Sequence, residues 1–160
     1  MTRVVISQSM YFPWVGMVEQ IRLADVFIHY DDVQYSKGSF TNRVQVKAPD
    51  STTGWMTVPL SGLKLGDPIN ATEIKPSAQW IDKHIALLAA SFEGSPYSAE
   101  ALALARNVMA QDHRTIADLA RASMLELARY FGMDQTTRFL DSASLGIGGS
   151  GSRRVLDLVK

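Results

Sequence analysis

The stretch RVVISQSMYFPWVGMVEQIRLADVFIHY, residues 3–30, decides the fold. Arg3 to Ser7 is a short β-branched run and reads as a buried strand. Pro13 stands where a helix can begin, and Trp14, Met17, Val18, Ile21 and Ala24 then recur at helical spacing. Val26 to Tyr30 is a second short apolar run. Strand, helix and strand within about 30 residues is the size of a βαβ unit, whose strands run parallel and whose crossover is right-handed.

Outward from this unit the pattern changes twice. Ser39 to Lys47 alternates Phe40, Asn42, Val44 and Val46 with Thr41, Arg43, Gln45 and Lys47. Trp55 to Leu60 can pair with it across the turn-forming APDSTTG, giving an antiparallel hairpin. Ile69 to Ile74 is expected to add another strand. From Pro76 the chain is rich in Ala and Leu, and three helices are predicted. The first has Trp80, Ile81, Ile85, Leu88 and Phe92 on one face before Gly94, the second follows Ser95 and Pro96, and the third runs from Thr115 toward Gly132. Such stripes are core faces. Thr137 to Leu140 reads as a strand, and a Gly- and Ser-rich loop precedes a final apolar helix pattern. The expected architecture is α/β: a Rossmann-like, mostly parallel sheet with an inserted antiparallel hairpin and a helical middle segment. It is read as one domain over 1–160, divided at about 75 and 132.

Composition narrows the function. Hydrophobic residues are 46% and charged residues 20% of 160, enough for a core and too apolar for wholesale disorder. Sixteen Lys and Arg balance sixteen Asp and Glu, so the basic excess of a general nucleic-acid binder is missing. The absence of cysteine removes thiol nucleophiles, disulfides, zinc ribbons and iron–sulfur sites. Neither a signal-peptide core nor the roughly 20 apolar residues of a membrane span is visible, so a cytoplasmic protein without membrane contact is expected. His29, His84 and His113 form no HExxH or i, i+4 pair, and no GxSxG elbow occurs.

Three segments hold the candidate chemistry. After the first strand come Gln8, Tyr11 and Trp14, where ligands collect beside helix N-termini in α/β sheets. Gln8 both donates and accepts and Tyr11 offers a hydroxyl; equally, Tyr11, Phe12 and Trp14 can plug the sheet end. After the second strand, Asp31 and Asp32 can serve as base, metal ligand or sugar-hydroxyl acceptor, and Lys37 can meet a phosphate; the competing reading is an Asx turn with a solvated lysine. Near the end, Gly146 to Arg154 combines glycines, Ser150, Ser152, Arg153 and Arg154 before a helix, a pattern suited to an anion and equally to a capped helix after a loop. It is neither a Walker P-loop nor a Rossmann fingerprint.

These residues resemble a known family. Ser7-Gln8-x-x-Tyr11-x-Pro13-Trp14-x-Gly16, Ala24-Asp25-Val26, Asp31 to Lys37, Phe40-x-Asn42-Arg43 and Trp55-x-Thr57-Val58-Pro59-Leu60 are similar to the WbqC-like protein family. So are Trp80 with His84, and Gly149-x-Gly151-Ser152-Arg153-Arg154-Val155-Leu156-Asp157. Many members carry His-Gln-Pro where this chain has Ser7-Gln8-Ser9, and members generally continue beyond a point matching Lys160. The resemblance implies bacterial glycan or polysaccharide biosynthesis and an acyl or aminoacyl transferase acting on an amino sugar or nucleotide sugar; a non-catalytic nucleotide- or sugar-binding module or partner subunit is the alternative. It implies Gln8, Asp31, Asp32 and Lys37 as catalytic candidates, and Tyr11, Trp14, Asn42, Arg43, His84, Gly149, Ser152 and Arg153 as substrate contacts. The cofactor class this admits is a nucleotide with Mg2+, with no metal held by the protein alone. A small-molecule substrate is expected, and a homodimer would cover Val155, Leu156 and Val159. A fainter likeness joins the first 30 residues to class I nucleotidylyltransferases and pantothenate synthetases. Both histidines of their HxGH motif are missing, so that likeness concerns fold only.

Overall fold

The computed structural model describes residues 1–48, 50 and 52–160. The deciding stretch forms strand β1 (Val4–Ser7), helix α1 (Val15–Leu23) and strand β2 (Val26–His29). The two strands pair in parallel, Val4 opposite Val26 and Ser7 opposite His29. Trp14 precedes the helix rather than joining its apolar stripe. It is 57% exposed, and its ring lies over Gly16, where an added Cβ would come within 2.1 Å of it.

The hairpin is β3 (Arg43–Lys47) with β4 (Thr53–Thr57), antiparallel, Val44 opposite Met56. Ser39 to Asn42 do not join β3: Gly38 adopts φ 84° and the chain turns there instead. Pro49 and Ser51 of the expected turn lie outside the described residues. Two-residue strands β5 (Leu60–Ser61) and β6 (Glu73–Ile74) pair antiparallel. Ile69–Ala71, expected as strand, is a single 3₁₀ turn that buries Ile69, because Pro68 sets its start.

Helices α2 (Ala78–Ser91), α3 (Ser98–Met109) and α4 (Ile116–Tyr130) follow. Thr115 and Asp118 cap α4 reciprocally, each side chain accepting the other's backbone N–H. Strand β7 (Arg138–Asp141) then returns beside β2 in parallel, giving the order β1-β2-β7. Helix α5 (Gly151–Leu158) closes the described chain.

Two apolar clusters result. Val5, Phe27 and Phe139 stand side by side across the parallel sheet, and Met17 and Ile21 of α1 and Met124 of α4 pack on them. The larger cluster joins the hairpin to α2, α3 and α4 through Met56, Val58, Leu88, Val108 and Leu119. Tyr11 belongs to this second cluster. The chain reaches it through Phe12, the one non-glycine with positive φ among the described residues (45°). Bonds from Tyr11 N–H to Phe40 O (3.0 Å) and from Phe12 N–H to Ser123 Oγ (3.0 Å) hold that left-handed residue. No helix among the described residues is long and apolar enough to cross a membrane.

Candidate functional site at the carboxyl end of the sheet

Because Ser7, His29 and Asp141 are level across the sheet, the residues just beyond them emerge together. That edge carries Gln8 and Ser9, Tyr30 to Asp32, and Asp141 with Ser142. Two arginines enter it from helices, Arg121 on α4 and Arg154 on α5.

The adjacent carboxylates part ways, as backbone alternation requires. Asp31 is fully buried. It accepts from Ser9 N–H (2.8 Å), Ser9 Oγ (2.7 Å) and Arg121 Nε (2.5 Å). Arg121 spends its remaining fork on Asp141, at 2.6 and 3.1 Å. The Ser9 hydroxyl also lies 2.9 Å from His29 Nδ1. Its one proton goes to the Asp31 carboxylate, so the oxygen must accept from His29, which fixes the tautomer with hydrogen on Nδ1. Nε2 is then a bare lone pair, buried and without a partner. Burial drives the His29 pKa down to about 4; Arg121 assists, and Asp31 and Asp141 oppose it. The ring is neutral at pH 7.

Asp32 faces the other way and its side chain stays 20% exposed. It accepts from Ser142 Oγ at 2.5 Å and from Arg154 Nη2. Arg154 is 7% exposed, donates from Nε to Ile147 O at 2.9 Å, and lies over the Tyr30 ring. Burial alone would raise the Asp32 pKa, but the Arg154 and Ser142 bonds outweigh it and hold the carboxyl below its ordinary range. Three carboxylates meet two guanidiniums here, leaving one negative charge beside a glycine-rich helix start.

The remaining sequence candidates scatter. Gly149 (φ 97°) and Ser152 lie at the start of α5, next to Arg154. Arg153 points outward and pairs with Asp157 at 3.1 Å, so the inward guanidinium is its neighbour's. Tyr11 is 1% exposed with its Oη 2.9 Å from His84 Nδ1, which places both rings inside the core. Trp14 is on the surface at the start of α1. Lys37, Asn42 and Arg43 line a separate cleft beside the hairpin. Arg121, Asp141, Ser142 and Ser9 went unread in the sequence. An arginine one turn from buried Ala117 and Met124 was the available signal for the first.

The residues do not form a metal cage. Among the described residues no three His, Asp or Glu side chains are placed so that they could hold a metal ion. Asp31 and Asp141 are spent on Arg121.

The sequence model of the WbqC-like protein family matches residues 8–160. The chain belongs to the WbqC-like protein family. Uncharacterized protein Rv1507c of Mycobacterium tuberculosis (strain ATCC 25618 / H37Rv) is 29% identical over 160 residues, spanning 99% of this chain and 68% of that protein. No solved structure matches.

Ser9 stands where many relatives are expected to carry proline, which has neither N–H nor hydroxyl. In this chain both of those groups serve Asp31. Ser9→Ala is therefore expected to lower stability by about 1.5–3 kcal/mol, the range for a hydrogen bond to a charged group. Urea unfolding measures it, and a loss within about 0.5 kcal/mol, ordinary for surface changes, would contradict the geometry.

Proposed function

We propose that the protein is a transferase of bacterial glycan assembly that moves an acyl or aminoacyl group onto the amine of a nucleotide-linked amino sugar. The observation that carries this is the juxtaposition of a partly exposed carboxylate, Asp32, with the glycine-rich start of α5. The net negative edge suits an amine, and free backbone N–H groups at a helix start suit a phosphate. Gln8 and Asp32 orient the amine; Gly149, Ser152 and the α5 N-terminus hold the phosphate side. Attack forms a bond from the amine nitrogen to the acyl carbon, and the donor's leaving group departs with its electron pair. The proton lost by nitrogen passes through Asp32 to solvent. The Arg154 partner keeps Asp32 ionised, so it accepts hydrogen bonds strongly and retains a proton weakly.

Glycan or nucleotide binding without turnover is the second reading. One observation favours it: His29 and His84 both titrate near pH 4 and Asp32 is held low, so none of these three groups is tuned to neutral pH.

Asp32→Asn separates function from folding. The asparagine retains an oxygen for Arg154 but not its charge, so the melting temperature should fall, and circular dichroism confirms that the variant assayed is folded. Product formation from a nucleotide-linked amino sugar and an activated acyl donor, read by mass spectrometry, should fall about 10²–10⁴-fold. Activity within a few-fold of wild type removes Asp32 from the reaction. Ligand-induced thermal stabilisation without any product from the wild-type protein would support the second reading.

A further inference from the structure

A second feature lies apart from the sheet edge. The loop Gln34–Gly38, the base of the hairpin and the segment Val58–Leu65 enclose a cleft of about 860 Å³. That is within the ordinary range for small-molecule sites, roughly 300–1,000 Å³. Its lining includes three cations, Lys37, Arg43 and Lys64, and no carboxylate. Among the described residues none of the three forms a salt bridge.

The walls are tied together. Tyr35 Oη donates to Asn42 Oδ1 at 2.8 Å, and Asn42 Nδ2 donates to Val58 O at 3.0 Å. Tyr35 N–H donates to Asp67 O at 2.9 Å, tying the first wall to the chain just past the third. Both side chains are buried, Tyr35 8% and Asn42 7% exposed. Arg43 is aimed in advance: its guanidinium stacks on Trp55 at 4.0 Å and Nη2 donates to Gly38 O at 2.5 Å. Gly38 is needed for that close approach, since a Cβ there would come within 3.2 Å of Nη2. Among the described residues only one of Arg43's five N–H donors is spent, and Nε is buried without a partner. The lining also includes apolar side chains, Pro59, Leu60 and Leu63 among them.

The Asp67 carboxylate accepts from the Lys64 backbone N–H at 2.7 Å without pairing with any of the three cations. A cleft lined by three cations free of salt bridges, together with apolar side chains, fits an anion carried on an apolar or planar body. We infer that it binds the diphosphate of a small phosphorylated ligand, with Lys37, Arg43 and Lys64 on the phosphates. Preorganisation spares the ligand the cost of ordering the arginine. This site stands without the sheet-edge reading, and Asp32 takes no part in it.

Calorimetric titration with pyrophosphate and with adenosine diphosphate tests it on the whole chain. Both probes should bind, the nucleotide more tightly because its base meets the apolar side chains of the lining. Lys37→Gln with Lys64→Gln should weaken both at least about tenfold, and higher salt should weaken them further. Those lysines are exposed, so folding is retained. Asp32→Asn should leave both affinities unchanged. Absence of binding at millimolar probe, or affinities insensitive to the lysine double variant, overturns the inference. Sensitivity to Asp32→Asn alone would overturn it while leaving the sheet edge as the nucleotide site.

Discussion

Arg121→Met is expected to destabilise the protein by about 3–5 kcal/mol, the cost of removing one partner from a buried ion pair. Asp31 is the reason. Its carboxylate is wholly buried, and among the described residues Arg121 is its only cation, at 2.5 Å. The Ser9 bonds would remain but carry no charge. Methionine keeps most of the packing volume on α4, so the loss isolates the electrostatics. The loss reaches further because Arg121 also holds Asp141 at the end of β7. Asp31→Asn in the same chain removes the stranded charge, and the double variant should be more stable than the two single losses predict by addition. Urea denaturation of the four proteins gives the coupling directly. A single-variant loss below about 1 kcal/mol, typical of exposed pairs, would show that the pair is solvated.

Stability should also fall steeply between pH 6.5 and pH 4. His29 and His84 both have pKa values lowered to about 4, from burial first; in His84 a backbone hydrogen bond at Thr57 partly opposes the effect. Unfolding returns each to about 6.5, so through this window the unfolded chain binds more protons than the folded one. The stabilisation is complete above pH 6.5 and is lost as pH falls toward 4. Each histidine contributes on the order of 3 kcal/mol across that interval. The lowered carboxyl of Asp32 acts in the same direction but at lower pH, below its ordinary value of 3.8. Thermal melts at half-unit pH steps should therefore show the drop beginning near pH 6.5, and His84→Gln should flatten roughly half of it. A flat profile down to pH 4.5 would mean that neither ring is buried as described.

Local pattern made much of the fold legible. The β1-α1-β2 unit, the hairpin and the three middle helices each announce themselves within 30 residues through periodicity, Pro and Gly. What stayed hidden depends on distant contacts. That β7 joins β2, more than 100 residues earlier, follows from no local signal. Trp14 shares the spacing of the α1 stripe but sits before the helix starts, where that phase no longer applies.

The site shows the same divide. Asp31 and Asp32 were readable as a carboxylate pair after a strand; their separation into a buried and a partly exposed group was not, because Arg121 and Arg154 arrive from helices far along the chain. On α5 the residues Val155, Leu156 and Val159 draw attention by hydropathy, yet they remain 37–49% exposed. The inward positions are Arg154 and Leu158, one turn apart, since Arg154 has a carboxylate to meet. A charged residue takes a buried place only with such a partner, and the partner is invisible along the sequence.

Substrate is proposed to meet the protein at the carboxyl end of the parallel sheet. Amide chemical-shift mapping during titration with a nucleoside diphosphate amino sugar tests it most directly. Concerted shifts are expected at Ser9, Tyr30 to Asp32, Ser142 and Gly149 to Arg154, with shifts near Gly38 and Arg43 saturating independently. Shifts confined to the hairpin cleft or to α2 and α3, with the sheet edge silent at saturating ligand, would contradict it.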